Sequence, residues 1–143
     1  PYDVRMIYKL RGQWASDPLY SSEEFGYGGQ DIGRAYDGSD IVGDKGLSTS
    51  LEAAYAGMAP VWSTSFTPYV FYDIGKVWNL DQSGQVKSQS ASSAGAGIRI
   101  YNDPTGLSGG IGLAFPLTKT VDDPNYGGPQ TAPRILFEIN RNF

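Results

Sequence analysis

Hydrophobic and polar residues alternate along most of the chain with period two, the spacing that sends successive side chains to opposite faces of a β-sheet. In the first segment Val4, Met6, Tyr8, Leu10 and Trp14 share one side, against Arg5, Lys9, Arg11 and Gln13 on the other. Leu47, Leu51, Ala53 and Tyr55 oppose Ser48, Ser50 and Glu52 in the second. The third is the longest, with Trp62, Phe66, Val70, Tyr72 and Ile74 facing away from Ser63, Ser65, Thr67, Tyr69, Phe71 and Asp73. Ala94, Ala96, Ile98 and Ile100 alternate with Gly95, Gly97 and Arg99, and Leu107, Ile111, Leu113, Phe115 and Leu117 oppose Ser108, Gly110 and Gly112. The last segment sets Ile135, Phe137, Ile139 and Phe143 against Arg134, Glu138, Asn140 and Asn142. The pattern predicts six strands and an all-β, antiparallel fold.

These segments run to roughly 10 to 15 residues, at or above the length a tilted strand needs to cross a bilayer and well above that of globular strands. The connections alternate too. A long one from about Ala15 to Asp44 is followed by a tight one at Gly57 to Pro60. A long one around Asn79 to Gln89 precedes a tight one at Asn102 to Thr105, and another long one runs from about Lys119 to Pro133. Long external loops and short periplasmic turns are the rhythm of an outer-membrane barrel. A soluble β-sandwich explains the alternation equally well, but not the strand length or the loop asymmetry. Six strands are too few for a single-chain barrel, so the expectation is the C-terminal piece of a larger one, or one protomer of a shared one. The mid-strand start at Pro1 favours the piece.

Composition narrows the chemistry. The 143 residues, enough for one domain, include 19 glycines, 9 prolines and 13% aromatics, too much Gly and Pro for a helical bundle and too aromatic for a disordered tail. With no Cys and no His, disulfides, thiolate or imidazole metal ligands and His- or Cys-based catalytic groupings are excluded. A net charge of -4 argues against nucleic acid as a partner. No run is long and apolar enough for a spanning helix, and no secretory leader is recognisable at the start. No catalytic residue, cofactor site or metal site is assigned. Asp122-Asp123-Pro124-Asn125-Tyr126 lacks the ligand spacing of a calcium loop, and Glu23-Glu24 read as surface charges. Trp14, Trp62, Trp78, Tyr8, Tyr55 and Tyr72 fit an interfacial aromatic girdle better than a sugar-stacking site.

The first long connection carries the candidate site. Phe25-Gly26-Tyr27-Gly28-Gly29, Ile32-Gly33-Arg34-Ala35-Tyr36 and Gly43-Asp44-Lys45-Gly46 are glycine-dense, so the backbone can fold back on itself with positive φ. Such a loop can tuck into a cavity. A buried Arg34 then needs a carboxylate to offset its desolvation, and Asp73 on the inward side of the third segment is the first candidate, with Glu52 the second. The other reading of the same residues is a solvated loop whose Arg34 meets only water.

Gly28-Gly29, Gly33-Arg34-Ala35-Tyr36, Gly43-Asp44-Lys45-Gly46 and Ser50-Leu51-Glu52 together resemble the segment around the Val-Arg-Gly-Tyr motif of the Omp85 superfamily. The likeness is nearest to its two-partner-secretion transporters, the haemolysin activation/secretion proteins. Phe71, Asp73 and Gly75 match that family's Phe-x-Asp-x-Gly strand motif, and terminal Phe143 matches the aromatic end read by the outer-membrane assembly machinery. The resemblance implies a 16-stranded transmembrane β-barrel preceded by POTRA domains, of which this chain would be about the last six strands. It also implies that the loop at about 15–46 folds inward from the extracellular side, with Arg34 engaging Asp73 as a latch. Arg5, Lys9, Arg11, Glu52, Arg99 and Glu138 would then line a wet lumen through which an unfolded exoprotein cargo passes, while lipid of the bacterial outer membrane covers the other face. The implied partners are that cargo, lipid and the barrel assembly machinery. Another Omp85-type machine, an insertase or an autotransporter translocator, is the alternative within the superfamily; a ligand-binding soluble sandwich is the alternative outside it. Two positions depart from the motif: Gly33 stands where Val is usual, and Ala35 replaces Gly. Because Ala35 disfavours positive φ, the loop tip is expected to sit differently.

Overall fold

A computed structural model describes residues 3–80, 86–121 and 132–141. Six long strands form one antiparallel sheet in the order β1 (Val4–Gln13), β4 (Lys45–Tyr55), β5 (Thr64–Leu80), β6 (Val86–Asn102), β7 (Leu107–Val121) and β8 (Arg134–Arg141). Between β1 and β4 the long loop makes a small ribbon of its own, β2 (Phe25–Tyr27) with β3 (Ile41–Gly43). No helix occurs among the described residues. The sheet is open, with β1 and β8 at its edges, and fits a fragment of a β-barrel wall.

The period-two pattern determines the register. Met6 faces Ala53, Tyr8 faces Leu51, Leu51 faces Tyr72 and Ile111 faces Phe137, so apolar residues share one surface across all the strands. That surface is uncovered: Tyr8 is 64% and Phe137 68% exposed. On the other surface Ser48, Ser50, Glu52, Asp73 and Ser93 are buried, Asp73 at 0%. A soluble sandwich would hide the first set and wet the second. Here the apolar sides do not meet one another, and the sandwich alternative is set aside. The buried cluster lies instead on the polar side, where Phe25, Tyr27, Ile32, Tyr36 and Ile41 of the loop press on Tyr69, Phe71, Val77, Ala91 and Ala114 of the sheet.

Two connections differ from the sequence pattern. Both ends of the loop expected around Asn79 to Gln89 are strand: β5 and β6, each 17 residues, pair all the way to Leu80 and Val86, and residues 81–85 lie outside the described residues. Their upper parts rise beside the β2–β3 ribbon, where Asn79 Nδ2 donates to the Val42 carbonyl at 3.2 Å. A strand with loop on one side and polar surroundings on the other loses the alternation that would mark it. The tight reversal expected at Gly57 to Pro60 falls later, at Trp62-Ser63, where both residues have positive φ (48° and 59°) and Val61 and Thr64 exchange two backbone hydrogen bonds of 2.9 Å. Such a turn ordinarily advertises itself with Asn-Gly, which is missing here.

The exposed apolar surface generates a directional expectation for the full-length protein. Leu51→Arg or Val70→Arg, mid-strand on that surface, should disfavour assembly in a bilayer by about 2–4 kcal/mol. Thr67→Gln on the opposite surface should be tolerated. The fraction of unboiled protein that migrates in a compact, heat-modifiable form on a denaturing gel measures both.

Candidate functional site

The loop is seated by small residues beneath large ones. At its base Asp44, itself buried, accepts from Leu19 N–H at 2.5 Å and from Leu80 N–H at 2.6 Å, tying the loop to the top of β5. Phe25 lies on Gly46 of β4, where an added Cβ would come 2.0 Å from the ring, and Tyr27 lies on Gly75 of β5, at 2.2 Å. The Phe-x-Asp-x-Gly motif thus acquires a physical reading: Gly75 is glycine because a loop tyrosine occupies the space above it. A Cβ in either place would collide with a packed ring.

Past the ribbon the chain turns sharply at Gly33 (φ 82°), whose missing Cβ would sit 2.9 Å from Gly28 and from the Tyr27 ring. This bend aims two successive amides at one oxygen: Gly33 N–H and Arg34 N–H donate to Asp73 Oδ2 at 3.0 and 3.1 Å. Consecutive N–H groups converging in this way form a small anion cradle. Ala35 stays out of the positive-φ region, so Gly33 carries the bend that the departure at Ala35 had put in question.

The Arg34 side chain follows its backbone into the same site. Its Nε donates to Asp73 Oδ2 and its Nη2 to Asp73 Oδ1, both at 3.1 Å; Nη1 reaches Glu52 Oε2 at 2.7 Å, and Nη2 also reaches Ser50 Oγ at 2.9 Å. Both candidate carboxylates are therefore engaged, rather than one or the other. The guanidinium carbon lies 3.7 Å from the centre of the Phe71 ring. Arg99 completes the group, donating to Glu52 through Nη1 at 2.6 Å and Nη2 at 3.1 Å, with its guanidinium 4.1 Å from the Tyr69 ring. Two cations and two anions balance in a site that is almost dry around Arg34. Burial works against the charged form of Arg34, but the hydrogen bonds to Asp73 and Glu52 outweigh it and hold its pKa above the ordinary value.

Glycines also explain how Phe71 and Tyr69 come to lie flat. A Cβ on Gly95 would meet the Phe71 ring at 2.5 Å, and Cβ atoms on Gly97 and Gly112 would meet the Tyr69 hydroxyl at 2.6 and 2.9 Å. Each ring covers neighbouring glycine backbone and offers its upper face to a guanidinium, the arrangement cation–π attraction favours. Further along, the Tyr36 hydroxyl points to the Ser92 and Thr118 carbonyls at 2.9 and 3.0 Å. The β6–β7 ladder is irregular there, beside Pro116, and the hydroxyl meets carbonyl groups that the ladder leaves available.

The remaining residues singled out in the sequence sit around this site. Arg5, Lys9 and Arg11 occupy the polar side of β1, where Lys9 pairs with Asp31 of the loop and Arg11 lies 5.6 Å from the Phe25 ring centre. The Lys9 hydrogen bond holds the Asp31 carboxyl below its usual range. Glu138 is on the same side of β8, hydrogen-bonded to Asn140, and lines the same cavity as Arg34, Arg99 and Arg134. Phe143 and the Asp122–Tyr126 segment lie outside the described residues. Sequence reading missed the contacts of Asp44, Ser50 and Tyr69 and the part played by Gly95, Gly97 and Gly112 beneath the rings. It also missed Arg134, whose Nη1 donates to the Tyr36 carbonyl at 2.5 Å and lies 3.2 Å from Asp37 Oδ1.

An antiparallel sheet that leaves its apolar side uncovered and buries an arginine-tipped loop on two strand carboxylates of the other side fits part of an outer-membrane β-barrel. Residues 4–100 match the haemolysin secretion/activation protein family ShlB/FhaC/HecB, and the chain belongs to that family, within the two-partner-secretion transporters of the Omp85 superfamily. It is a family of secretion proteins, not of enzymes. No curated protein and no solved structure matches the chain.

Asp73→Asn leaves Arg34 with Glu52 alone, which Arg99 shares, and should release about 3–5 kcal/mol of seating energy. The expected readout is rapid proteolysis within residues 15–44 while the strands stay protected. A second expectation concerns Tyr27, whose pKa burial first and the Asp73 charge second push well above the ordinary value of about 10. Above that value the unfolded chain loses a proton that the seated loop retains, so seating is unaffected below about pH 10 and weakens as pH rises further. Tyr27→Phe should lessen this alkaline decline, to which Tyr36, its hydroxyl pKa also raised by burial, contributes, measured as loop protection between about pH 8 and 11.

Proposed function

We propose that this chain forms part of the wall and the plug of an outer-membrane pore that passes an unfolded exoprotein to the cell surface. The observation that carries this reading is the Arg34 seat: a charged side chain, delivered by a loop, is neutralised by residues of the wall and by nothing else. A contact of that kind holds firmly while seated, yet every bond in it is a hydrogen bond or ion pair that water can replace. It therefore suits a plug that must stay closed and still be moved. The loop enters from the extracellular side, the wall belongs to a 16-stranded barrel, and the inner residues Arg5, Lys9, Arg11, Glu52, Arg99 and Glu138 face the conduit. The mixed charge of that surface suits a sliding peptide and repels lipid. Terminal Phe143 serves recognition by the assembly machinery.

Arg34→Ala in the full-length transporter should insert normally, by heat-modifiability, while secretion of the partner exoprotein falls severalfold. Arg34→Lys should not restore it, because one ammonium cannot span Asp73 and Glu52 in the way a planar fork does. Full secretion with unchanged channel conductance in Arg34→Ala would refute the latch.

A further inference from the structure

Charge is sorted between the two faces of the sheet. Among the described strand residues every carboxylate, Glu52, Asp73 and Glu138, is on the inner face. The charges on the outward face are all cationic, and two of them, Lys45 and Lys76, stand together where β4 and β5 leave the apolar band on the side of the long loop. In the ladder Lys45 pairs with Trp78 and Leu47 with Lys76, so the two lysines are diagonal neighbours, about 7–8 Å apart at their backbones. Each meets an aromatic plane rather than a carboxylate: Lys45 Nζ is 3.9 Å from the Trp14 ring centre, and Lys76 Nζ is 5.3 Å from that of Trp78. Just below them the same face continues as Leu47, Leu51, Tyr72 and Ile74, all exposed.

We propose that Lys45 and Lys76, framed by Trp14 and Trp78, bind the phosphate headgroup of a lipid in the leaflet on the loop side of the membrane. The argument is charge complementarity at a fixed depth. An ammonium at the border of an oily surface extends its stem along that surface and its charge to the headgroup level, and tryptophan settles at the same level. Two adjacent ammonium groups with no counter-charge on their face among the described strand residues attract an anion, and the anions available at that level are lipid phosphates. The chain carries 15 acidic and 11 basic residues, so the lack of carboxylates on the outward face among the described strand residues is not a by-product of composition. The proposal rests on reading the sheet as a membrane wall.

The test uses the full-length transporter in detergent, with lipid retention followed by native mass spectrometry against bis-phosphorylated lipid A, its dephosphorylated form and inorganic phosphate. The phosphorylated lipid should bind in preference to the dephosphorylated one. Lys45→Gln and Lys76→Gln should each weaken it about fivefold and the pair about 30-fold, with Arg replacements retaining it, at unchanged heat-modifiability and secretion. Equal binding by the double Gln variant, or equal retention of dephosphorylated lipid, would overturn the headgroup site. Displacement of the lipid by equimolar inorganic phosphate would overturn its assignment to lipid. Loss of heat-modifiability in the unaltered protein would instead overturn the wall reading beneath it.

Discussion

A guanidinium taken out of water must be neutralised where it comes to rest, and the arrangement of this chain around Arg34 follows from that constraint. Asp73 supplies both oxygens and Glu52 one, while Ser50 and the Phe71 ring take up what the carboxylates leave. The two acids come from adjacent strands, so their separation is fixed by the β4–β5 register, in which Glu52 stands opposite Phe71 and Ser50 opposite Asp73. A slip of one residue between the two strands would turn one of the acids toward the apolar side and divide the pair on which the loop closes. Membership of a haemolysin secretion/activation family gives this geometry its context.

The charges alone would not place the loop. Its aromatic residues rest on glycines of the wall, and the wall's own aromatics rest on glycines of the next strands, so that rings lie flat where side chains would ordinarily stand up. The result is a layered seat of backbone, ring and guanidinium. Glycine normally weakens a strand, and here the cost is offset because the uncovered backbone becomes a surface for packing.

Much of this was legible in the residues themselves. Alternation across β1, β4, β5, β7 and β8 gave the faces, and the partner demand of a buried Arg34 pointed to Asp73 and Glu52. What escaped notice had no local signature. Asp44 and Arg134 act through contacts 25 and 98 residues away in the chain. Gly95, Gly97 and Gly112 read as ordinary small positions until the rings above them are seen. The upper parts of β5 and β6 resembled a loop because polar residues continue the ladder beyond the apolar band, and the Trp62-Ser63 reversal lacks the residues that usually announce such a turn. Pro116 inside an apolar run was a visible hint of the ladder irregularity that Tyr36 meets.

Glu52 is held by two arginines, one belonging to the loop and one to the wall, and they are not equivalent. Arg99 grips it with a two-pronged contact from the neighbouring face of β6, independent of where the loop lies. The carboxylate thus has a resident counter-ion as well as a visiting one. Withdrawal of the visitor would strand one naked anion on the wall, Asp73, instead of two, so the barrier to departure is lower than the number of ruptured bonds implies, and the vacated surface is already half healed.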